Sequence, residues 1–391
     1  MKSIPGPIFR LFLAHLVTDL YMPVIAAILP LLISTRGYSY LLAGLLVTTY
    51  NLTSSASQPL FGWLSDRKGW QVHISISVLI SAVFIGLMGI LEPYPLLLAC
   101  AALAAIGHAC FHPHALSIVS RLSTSLNRGR VTSLFVVGGN IGYSLGPILA
   151  GAVIVVYGLP GLPILIVPAL LMAVLLRKTG DTTAFPTAHH DERIGKPITF
   201  ATFSPVALLF AASTLRAWAV FSAIAFLPPY FVMQGQDLFS ANLLVTLMLL
   251  AGVTGQIAGG VLADIYGKKE FVVLGLVCAI PAFFVFLSTS GLLSIIALLL
   301  FGFSLWSSFA LTVAMAHELM PDHVGLTSGL MLGVSVGAGG LGVAFTGMIA
   351  DSISLHAALS SIPALIIAAL LLMLIVRYPW KYLPSRVRPV L

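Results

Sequence analysis

Long apolar stretches separated by short polar segments form the dominant pattern along this chain. A helix needs about 20 apolar residues to cross the hydrocarbon core of a membrane. Stretches of roughly this length occupy residues 8–33, 40–63, 72–92, 94–120, 130–157, 160–176, 204–233, 239–264, 270–290, 292–318, 324–352 and 356–377. The pattern predicts an all-α membrane protein with about twelve transmembrane helices.

The one sizeable polar stretch, residues 177–203, lies near the middle of the chain. We interpret it as a cytoplasmic linker. It would join an N-terminal six-helix bundle, residues 1–176, to a C-terminal six-helix bundle, residues 204–391, which ends in a short cytoplasmic tail. His189 and His190 within the linker could bind a metal ion, but we favour a solvated linker.

One short charged motif occurs twice, about half the chain length apart. The first copy reads Gly62-Trp63-Leu64-Ser65-Asp66-Arg67-Lys68-Gly69, and the second reads Gly260-Val261-Leu262-Ala263-Asp264-Ile265-Tyr266-Gly267-Lys268-Lys269. Each copy follows one apolar stretch and precedes another. A repeat at this spacing predicts two pseudo-symmetric bundles, an organisation typical of transporters that work by alternating access.

Both copies of the motif offer groups suited to a gate at helix ends. Glycines let two helix ends approach closely. A carboxylate such as Asp66 resting on a helix N-terminus contributes about 0.3–1 kcal/mol when exposed and up to about 2 kcal/mol when partly buried. Contacts of that size, made in one conformation alone, bias an inward–outward equilibrium. The gating residues that we predict are Gly62, Asp66, Arg67, Gly69, Gly260, Asp264, Gly267 and Lys268.

The composition identifies lipid as the solvent. Hydrophobic residues make up 59% of the chain and charged residues 8%, against roughly 25% charged residues in a soluble domain. With both termini inside, every one of the 19 Lys and Arg residues except Arg36 and Arg216 is cytoplasmic. The basic residues are dispersed over short loops, so we expect contact with anionic lipids and no binding of nucleic acid.

Ionisable side chains inside apolar stretches are the first candidates for function, because they are costly to place in a bilayer. His15 and Asp19 are four residues apart and lie on one face of the first helix. A carboxyl group that moves between a buried environment and the neighbourhood of a cation takes up and releases a proton. We therefore predict that Asp19 and His15 couple transport to protons. A structural pair bonded to a neighbouring helix is the alternative.

Uncharged polar side chains on the second and fifth stretches are predicted to bind a polar substrate. Asn51 and Gln58 belong to the second stretch, and Asn140 and Tyr143 belong to the fifth. Amide and hydroxyl groups donate and accept hydrogen bonds without carrying a charge. Hydrogen bonds between helices are the alternative role for these side chains.

Three histidines, His108, His112 and His114, follow closely on one another in the fourth stretch. The cluster invites a metal site, but Pro113 bends the helix and no Cys or carboxylate lies adjacent, so we predict no metal. We expect His112 and His114 to contribute to substrate binding as hydrogen-bonding or titrating groups that line the pore.

Arg216 lies inside the seventh stretch, close to Trp218. A guanidinium group is not neutralised by deprotonation and so needs an anion nearby. That anion is either Asp19, in a structural ion pair, or an anionic substrate, and both alternatives stay open. Arg216 and Trp218 complete the predicted substrate-binding residues.

Small residues mark two helices that we expect to pack closely or to bend. Gly142, Gly146 and Pro147 lie in the fifth stretch. Gly329 and Gly333 belong to a run of glycines at every fourth position of the eleventh stretch. Static close packing and a contact that slides during transport both agree with this pattern.

Two strings resemble hydrolase motifs, and both fail. Gly142-Tyr143-Ser144-Leu145-Gly146 fits G-x-S-x-G, but that motif requires a strand–turn–helix setting and this stretch is an apolar helix. His317-Glu318 begins like H-E-x-x-H, but Pro321 occupies the position of the second ligand. We therefore predict that the protein is not an enzyme and needs no cofactor.

The chain resembles the major facilitator superfamily, and within it the bacterial fosmidomycin-resistance efflux family. The superfamily's loop motif, G-x-L-a-D-R-x-G-R-R, is similar to both charged repeats, although Trp70 and Gln71 replace its basic pair in the first copy and Ile265 replaces Arg in the second. The family likeness rests on longer strings, which are His15 with Asp19-Leu20-Tyr21, Asn51 to Pro59, Phe111-His112-Pro113, Gly138 to Pro147 and His317 to Gly325. The string from Gly142 to Gly151 also resembles the fifth-helix motif of antiporters.

The resemblance implies a major facilitator fold and a proton-coupled exporter of small polar or anionic drugs or metabolites, such as fosmidomycin-like compounds. Its partners would be the small-molecule substrate, protons and membrane lipids. We expect a monomer in the bacterial inner membrane that confers antibiotic resistance. One alternative function is the export of a siderophore or another metal-chelating carboxylate. The alternative from a different functional class is a uniporter or a transport-like receptor.

Overall fold

A computed structural model of the chain describes residues 6–68, 70, 72–123, 128–177 and 199–381, with the side chains of Asp66, Arg128, Arg130 and Arg177 outside the described part. The described residues form helices and no strand. The α-helices are α1 (Gly6–Leu20), α2 (Val24–Arg36), α3 (Tyr40–Lys68), α4 (Ile74–Leu87), α5 (Tyr94–Leu122), α6 (Arg128–Tyr157), α7 (Ile166–Arg177), α8 (Phe200–Met233), α9 (Leu238–Tyr266), α10 (Lys268–Ser288), α11 (Gly291–Ser307), α12 (Phe309–Leu319), α13 (Val324–Ser328), α14 (Ser335–Ser352), α15 (Leu355–Ser360) and α16 (Ile362–Ile375). Short 3₁₀ helices cover Leu159–Leu165 and Pro321–His323, and a π-helix covers Gly329–Val334.

Each of the twelve predicted stretches coincides with helix in the structure. Ten helical segments of the described chain are long and apolar enough to cross a membrane. The remaining two stretches correspond to α3, which has 29 residues and is less hydrophobic on average, and to α4, a shorter apolar helix. The prediction of an all-α membrane protein is therefore confirmed.

The first predicted span is two helices and not one. The helix breaks at a turn over residues 21–23, between the end of α1 and the start of α2. Pro23 has no backbone N–H to continue the hydrogen-bond ladder of α1, and its carbonyl accepts the first bond of α2 from the N–H of Ala27 at 3.1 Å. The break leaves Asp19 in the last turn of α1.

The described residues of Met1–His190 and Ala225–Thr246 form one compact unit, in which α1 packs closely against α6. A Cβ atom added at Gly142 would collide with the carbonyl of Leu16, and one added at Gly146 would collide with the carbonyl of Leu20. The absence of side chains at these two positions is therefore what permits the helix contact. Whether the two helices also slide stays a prediction.

The start of α9 belongs to the same unit as α2 and α6. The Asn242 amide donates to the carbonyl of Ala27 at 3.3 Å, and the Thr246 hydroxyl accepts from the N–H of Ile148 at 3.2 Å. Polar side chains of α9 thus fasten it to backbone groups of the N-terminal helices. Most of the predicted linker, residues 178–198, lies outside the described residues, so the predicted boundary between halves stays a prediction.

The described residues of Asp191–Ile224 and Leu247–Leu391 form the second unit, in which α8 packs on α14. Gly339 and Gly342 make room for Ala217 and for the ring of Trp218. Gly329 differs, because a Cβ atom there would meet nothing within 4 Å. Gly329 and Gly333 both lie in the π-helix, a local irregularity that is frequent at functional sites. Their predicted role as a hinge stays a prediction.

Candidate functional site

The Asp19 carboxylate lies among three imidazole rings. Its Oδ2 atom is 3.1 Å from His15 Nε2, and its Oδ1 atom is 3.4 Å from His108 Nε2 and 3.5 Å from His112 Nε2. Helix α1 supplies His15 and Asp19, as the spacing of four residues predicts, and α5 supplies the other two rings. We call these four residues the histidine–aspartate centre.

Hydrogen bonds on the outer side of each ring set the orientation of the three imidazoles. His15 Nδ1 lies 2.7 Å from the carbonyl of Phe135, His112 Nδ1 lies 3.0 Å from the carbonyl of His108, and His108 Nδ1 lies 2.9 Å from the Ser54 hydroxyl. The Phe135 ring also stacks on His15, with the ring centroids 4.1 Å apart. All three rings consequently turn Nε2 toward Asp19.

Helix α6 leaves room for the centre at Gly139. A Cβ atom there would collide with both His15 and Asp19. The glycine-rich stretch of α6 thus does more than pack against the backbone of α1, because it also admits the ionisable side chains. Any larger residue at position 139 would push the pair apart.

A polar connection runs from α3 to the centre. Gln58 donates to the Ser54 hydroxyl at 3.2 Å, and Ser54 in turn contacts His108. Asn51 is buried about one turn before Ser54 on α3, and its side-chain amide N–H donates to the carbonyl of Val47 in the same helix at 3.0 Å. The predicted residues Asn51 and Gln58 therefore lie on one side of α3, and Gln58 reaches the centre through Ser54.

Four buried polar atoms of this unit have no hydrogen-bond partner among the described residues. They are Asp19 Oδ1, Asn51 Oδ1, the Tyr50 hydroxyl and Asn242 Oδ1. The Tyr50 ring meets His108 edge to face, with the centroids 5.8 Å apart. Buried groups of this kind are costly unless something binds them. Tyr50 was not predicted, although its position directly before Asn51 was an available signal.

The remaining predicted polar residues of the first unit are dispersed. Asn140 and Tyr143 are half-buried on α6, and both interact with neighbouring groups. His114 lies outside the histidine–aspartate centre, because its Nδ1 contacts the carbonyl of Val72 at 2.9 Å and its ring lines a small cleft with Trp70. The roles of all three in substrate binding stay predictions.

Arg216 is buried on α8 in the second unit, with 5% of its surface exposed. Its guanidinium carbon lies 5.1 Å from the centroid of the Phe309 ring. No carboxylate of the described residues lies within salt-bridge distance, and Arg216 Nε has no hydrogen-bond partner there. One turn earlier on the same helix face, the buried Ser213 hydroxyl is also without a partner among the described residues.

Trp218 occupies a packing position next to Arg216. Its indole N–H donates to the Thr346 hydroxyl at 2.9 Å, and its ring lies against Gly342. These contacts hold the α8–α14 interface together. A direct role of Trp218 in substrate binding stays a prediction.

The second copy of the charged motif pairs with groups beyond the motif itself. Lys268 forms a salt bridge of 2.7 Å with Glu318, which also accepts a hydrogen bond from Tyr378. Burial and this bond to a carboxylate both raise the pKa of the Tyr378 phenol. Gly267 joins α9 to α10 with a φ of 98°, a conformation that L side chains rarely adopt. Glu318 was not predicted as a partner of the motif.

Residues just after α16 bind to the same end of α10. Lys269 is buried and donates to the carbonyls of Leu374 and Val376 at 3.2 and 2.7 Å. Lys381 donates to the backbone carbonyls of Asp264 and Ile265, at 2.8 and 2.7 Å. The chain following α16 is therefore fastened to the second motif.

The first copy is described less completely. Gly62 borders open space and Arg67 is exposed, while Gly69 and the side chain of Asp66 lie outside the described part. The side chain of Asp264, in the second copy, is exposed. Gating by either copy stays a prediction.

Comparison with known proteins identifies the family. The family model of the Major Facilitator Superfamily matches residues 11–331 and 209–389. The chain belongs to the major facilitator superfamily. This superfamily member is 31% identical over 367 residues to the fosmidomycin resistance protein of Escherichia coli strain K12, covering 90% of this chain and 88% of that protein. It is 28% identical over 376 residues to the uncharacterised MFS-type transporter YfnC of Bacillus subtilis strain 168, covering 92% and 91%.

Solved structures of the superfamily show the same fold. A bacterial homologue of the human lysosomal transporter Spinster, in an inward-facing and occupied conformation, matches with a TM-score of 0.77 at 19% identity and covers 96% of each chain. The peptide transporter POT in complex with sulfate matches with a TM-score of 0.75 at 17% identity, covering 96% of this chain and 94% of that one. The predicted superfamily and fold are confirmed, and the chain is a multi-pass transporter.

Proposed function

We propose that this transporter is a proton-coupled exporter of small polar or anionic compounds, in which protonation of the histidine–aspartate centre alternates with substrate binding. The observation that carries the proposal is the position of Asp19. Its carboxylate lies in the membrane-spanning part of α1, with three imidazole rings 3.1–3.5 Å away. Ionisable groups at such a depth are expensive and typically mark ion or proton pathways.

The centre has the two properties that a coupling site needs. It can hold protons in several arrangements, because a carboxylate and three imidazoles are close enough to share them. It is also reachable, since the side chains of Asp19 and His112 keep 15% and 19% of their surface exposed. A fully sealed cluster could not exchange protons with water during each transport cycle.

The proposed substrate is anionic because Arg216 lacks a protein counter-ion among the described residues. Leaving a guanidinium buried and unpaired costs several kcal/mol. A substrate carboxylate or phosphonate would offset that cost, and the Ser213 hydroxyl could donate a further hydrogen bond. The name of the Escherichia coli relative makes fosmidomycin the natural first probe.

The charge pattern supports an inner-membrane protein with both termini in the cytoplasm. In this orientation both charged motifs lie at the cytoplasmic ends of their helices. We propose that they stabilise one of the two alternating states, and that the transporter acts as a monomer. Export with antibiotic resistance follows from this cycle when protons flow inward.

Uptake into proteoliposomes tests the proposal. Purified protein is reconstituted, and fosmidomycin accumulation is measured with the lumen more acidic than the outside, and again without a gradient. An antiporter accumulates substrate only with the gradient, and a protonophore abolishes the accumulation. Equal uptake under both conditions would identify a uniporter and contradict the proposal. Binding without any transport would identify a receptor.

A further inference from the structure

Two imidazole nitrogens and one carboxylate of the histidine–aspartate centre form a compact triangle of ligand groups. His15 Nε2 lies 3.3 Å from His112 Nε2. One carboxylate oxygen, Asp19 Oδ2, lies 3.1 Å from His15 Nε2, and the other, Oδ1, lies 3.5 Å from His112 Nε2. The three groups are a potential metal-binding set among the described residues. From the sequence we expected no metal, because the histidines of α5 have no carboxylate beside them in the chain. The fold supplies that carboxylate from α1.

The hydrogen bonds of His15 and His112 place two lone pairs face to face. The carbonyls of Phe135 and His108 can only accept, so Nδ1 of each ring carries the hydrogen. In a neutral ring Nε2 then carries a lone pair, and the two lone pairs point at each other across 3.3 Å. A cation between the rings relieves this repulsion. The arrangement therefore favours an occupant with positive charge.

The spacing fits a transition-metal ion. Zn²⁺ binds imidazole and carboxylate at about 2.0–2.2 Å, so neighbouring ligand atoms of a tetrahedral site lie about 3.3–3.6 Å apart. The two imidazole nitrogens, 3.3 Å apart, fit this range, and each lies 3.1 or 3.5 Å from an oxygen of the Asp19 carboxylate. Two imidazoles and one carboxylate suit Zn²⁺ and similar first-row ions, whereas Ca²⁺ and Mg²⁺ prefer oxygen ligands alone.

The surroundings of the triangle are those of a metal site. Metal-ligating histidines usually donate the second ring N–H to a carbonyl or carboxylate, which fixes the ring and its tautomer. Both His15 and His112 do this. Asp19 Oδ1 has no hydrogen-bond partner among the described residues, so it keeps a lone pair for the ion. His108 Nε2 also lies 3.4 Å from this oxygen.

We propose that His15, Asp19 and His112 form a binding site for a first-row transition-metal ion, represented by Zn²⁺, and that an ion held there arrests transport. The ion would occupy Asp19 and His15, the two side chains to which we assign coupling. The site itself stands on geometry. The arrest rests on the proposed function, and the two parts are tested separately.

Binding is measured on the purified full-length protein in detergent, after removal of metal with a chelator. Zn²⁺ is titrated in competition with a chromophoric chelator, and Co²⁺ is titrated as a spectroscopic stand-in. We expect one Zn²⁺ per chain and intense visible Co²⁺ bands typical of low coordination number. His15→Gln, Asp19→Asn and His112→Gln should each weaken Zn²⁺ binding by at least about tenfold. His356→Gln, which alters an exposed histidine of α15, should bind like wild type.

The size-exclusion elution profile and the unfolding temperature, both measured without metal, identify any variant that fails to fold. The variants that do fold then test whether the metal site exists. Absence of stoichiometric binding in the wild type, or unchanged binding in folded variants, would overturn the site. For the arrest, Zn²⁺ should inhibit gradient-driven accumulation in proteoliposomes, and chelator should restore it. Stoichiometric binding without inhibition would overturn the arrest and leave the site intact. If the wild-type protein shows no gradient-driven accumulation in metal-free vesicles, that result would instead contradict the proposed function.

Discussion

Arg216 gives the most discriminating prediction, because its two possible roles predict opposite effects on stability. We consider Arg216→Gln, which removes the charge and keeps a polar side chain of moderate length. If Arg216 binds the substrate anion, the variant loses a charge-assisted hydrogen bond worth about 1.5–3 kcal/mol. That range corresponds to about a ten- to hundredfold weaker affinity for anionic compounds. Neutral compounds should lose far less.

Stability without substrate should change little or increase. The guanidinium makes no ion pair among the described residues, and its contact with the Phe309 ring is worth about 0.5–2 kcal/mol. Removal of an unpaired buried charge offsets that loss. Breaking a structural buried ion pair would instead cost about 3–5 kcal/mol. Thermal unfolding of the ligand-free protein therefore separates the two roles.

The assay is thermal unfolding with and without fosmidomycin or a neutral compound, since a bound ligand stabilises the fold. Arg216→Lys should recover part of the anion affinity, because the ammonium keeps the charge but lacks the planar fork. Arg36→Gln is the matched control: it removes the same charge from an arginine that donates to the carbonyl of Leu91 at 2.6 Å. Equal losses for anionic and neutral ligands, or strong destabilisation of ligand-free Arg216→Gln, would refute the reasoning.

Three further predictions concern the gate and the packing. Asp66→Asn should increase labelling of cysteines placed on the cytoplasmic side. Asp264→Asn should increase it less, because Ile265 replaces the neighbouring Arg of the motif. A larger effect of Asp264→Asn would contradict the assignment of the gate to the first copy of the motif. Gly142→Ala should lower stability by about 1–3 kcal/mol through overpacking against α1, whereas Gly325→Ala, which borders open space, should leave the unfolding temperature unchanged. Lys269→Met should accelerate proteolysis after α16, because two carbonyls lose their donor; unchanged cleavage would show that other contacts hold this segment.

Features that depend on local spacing could be predicted from the sequence. The spacing of His15 and Asp19 placed them on one helix face, and the apolar stretches marked all twelve helical segments. Gly142 and Gly146 were recognised as close-packing positions because small residues at helical spacing are typical of close contacts between membrane helices. In each case the information lies within one helix.

Features that depend on which particular helices or groups meet were missed. The meeting of His112 with Asp19 requires α1 and α5 to pack together, and neither segment specifies its neighbour. Tyr50 was overlooked because an aromatic residue in an apolar stretch usually packs in the core. Lys269 donates to backbone carbonyls, which every residue possesses, so no pattern of side chains in the sequence predicts these contacts. The break at Pro23 was hidden by an apolar run that continues across it.

The coupling role of Asp19 is tested most directly by comparing uphill transport with exchange in Asp19→Asn proteoliposomes. The variant keeps the size of the side chain but cannot ionise. Exchange of labelled for unlabelled substrate at equal pH requires binding and alternating access without net proton movement. We predict that Asp19→Asn retains exchange and loses accumulation driven by a pH gradient. Accumulation at the wild-type rate in the folded variant would contradict the account.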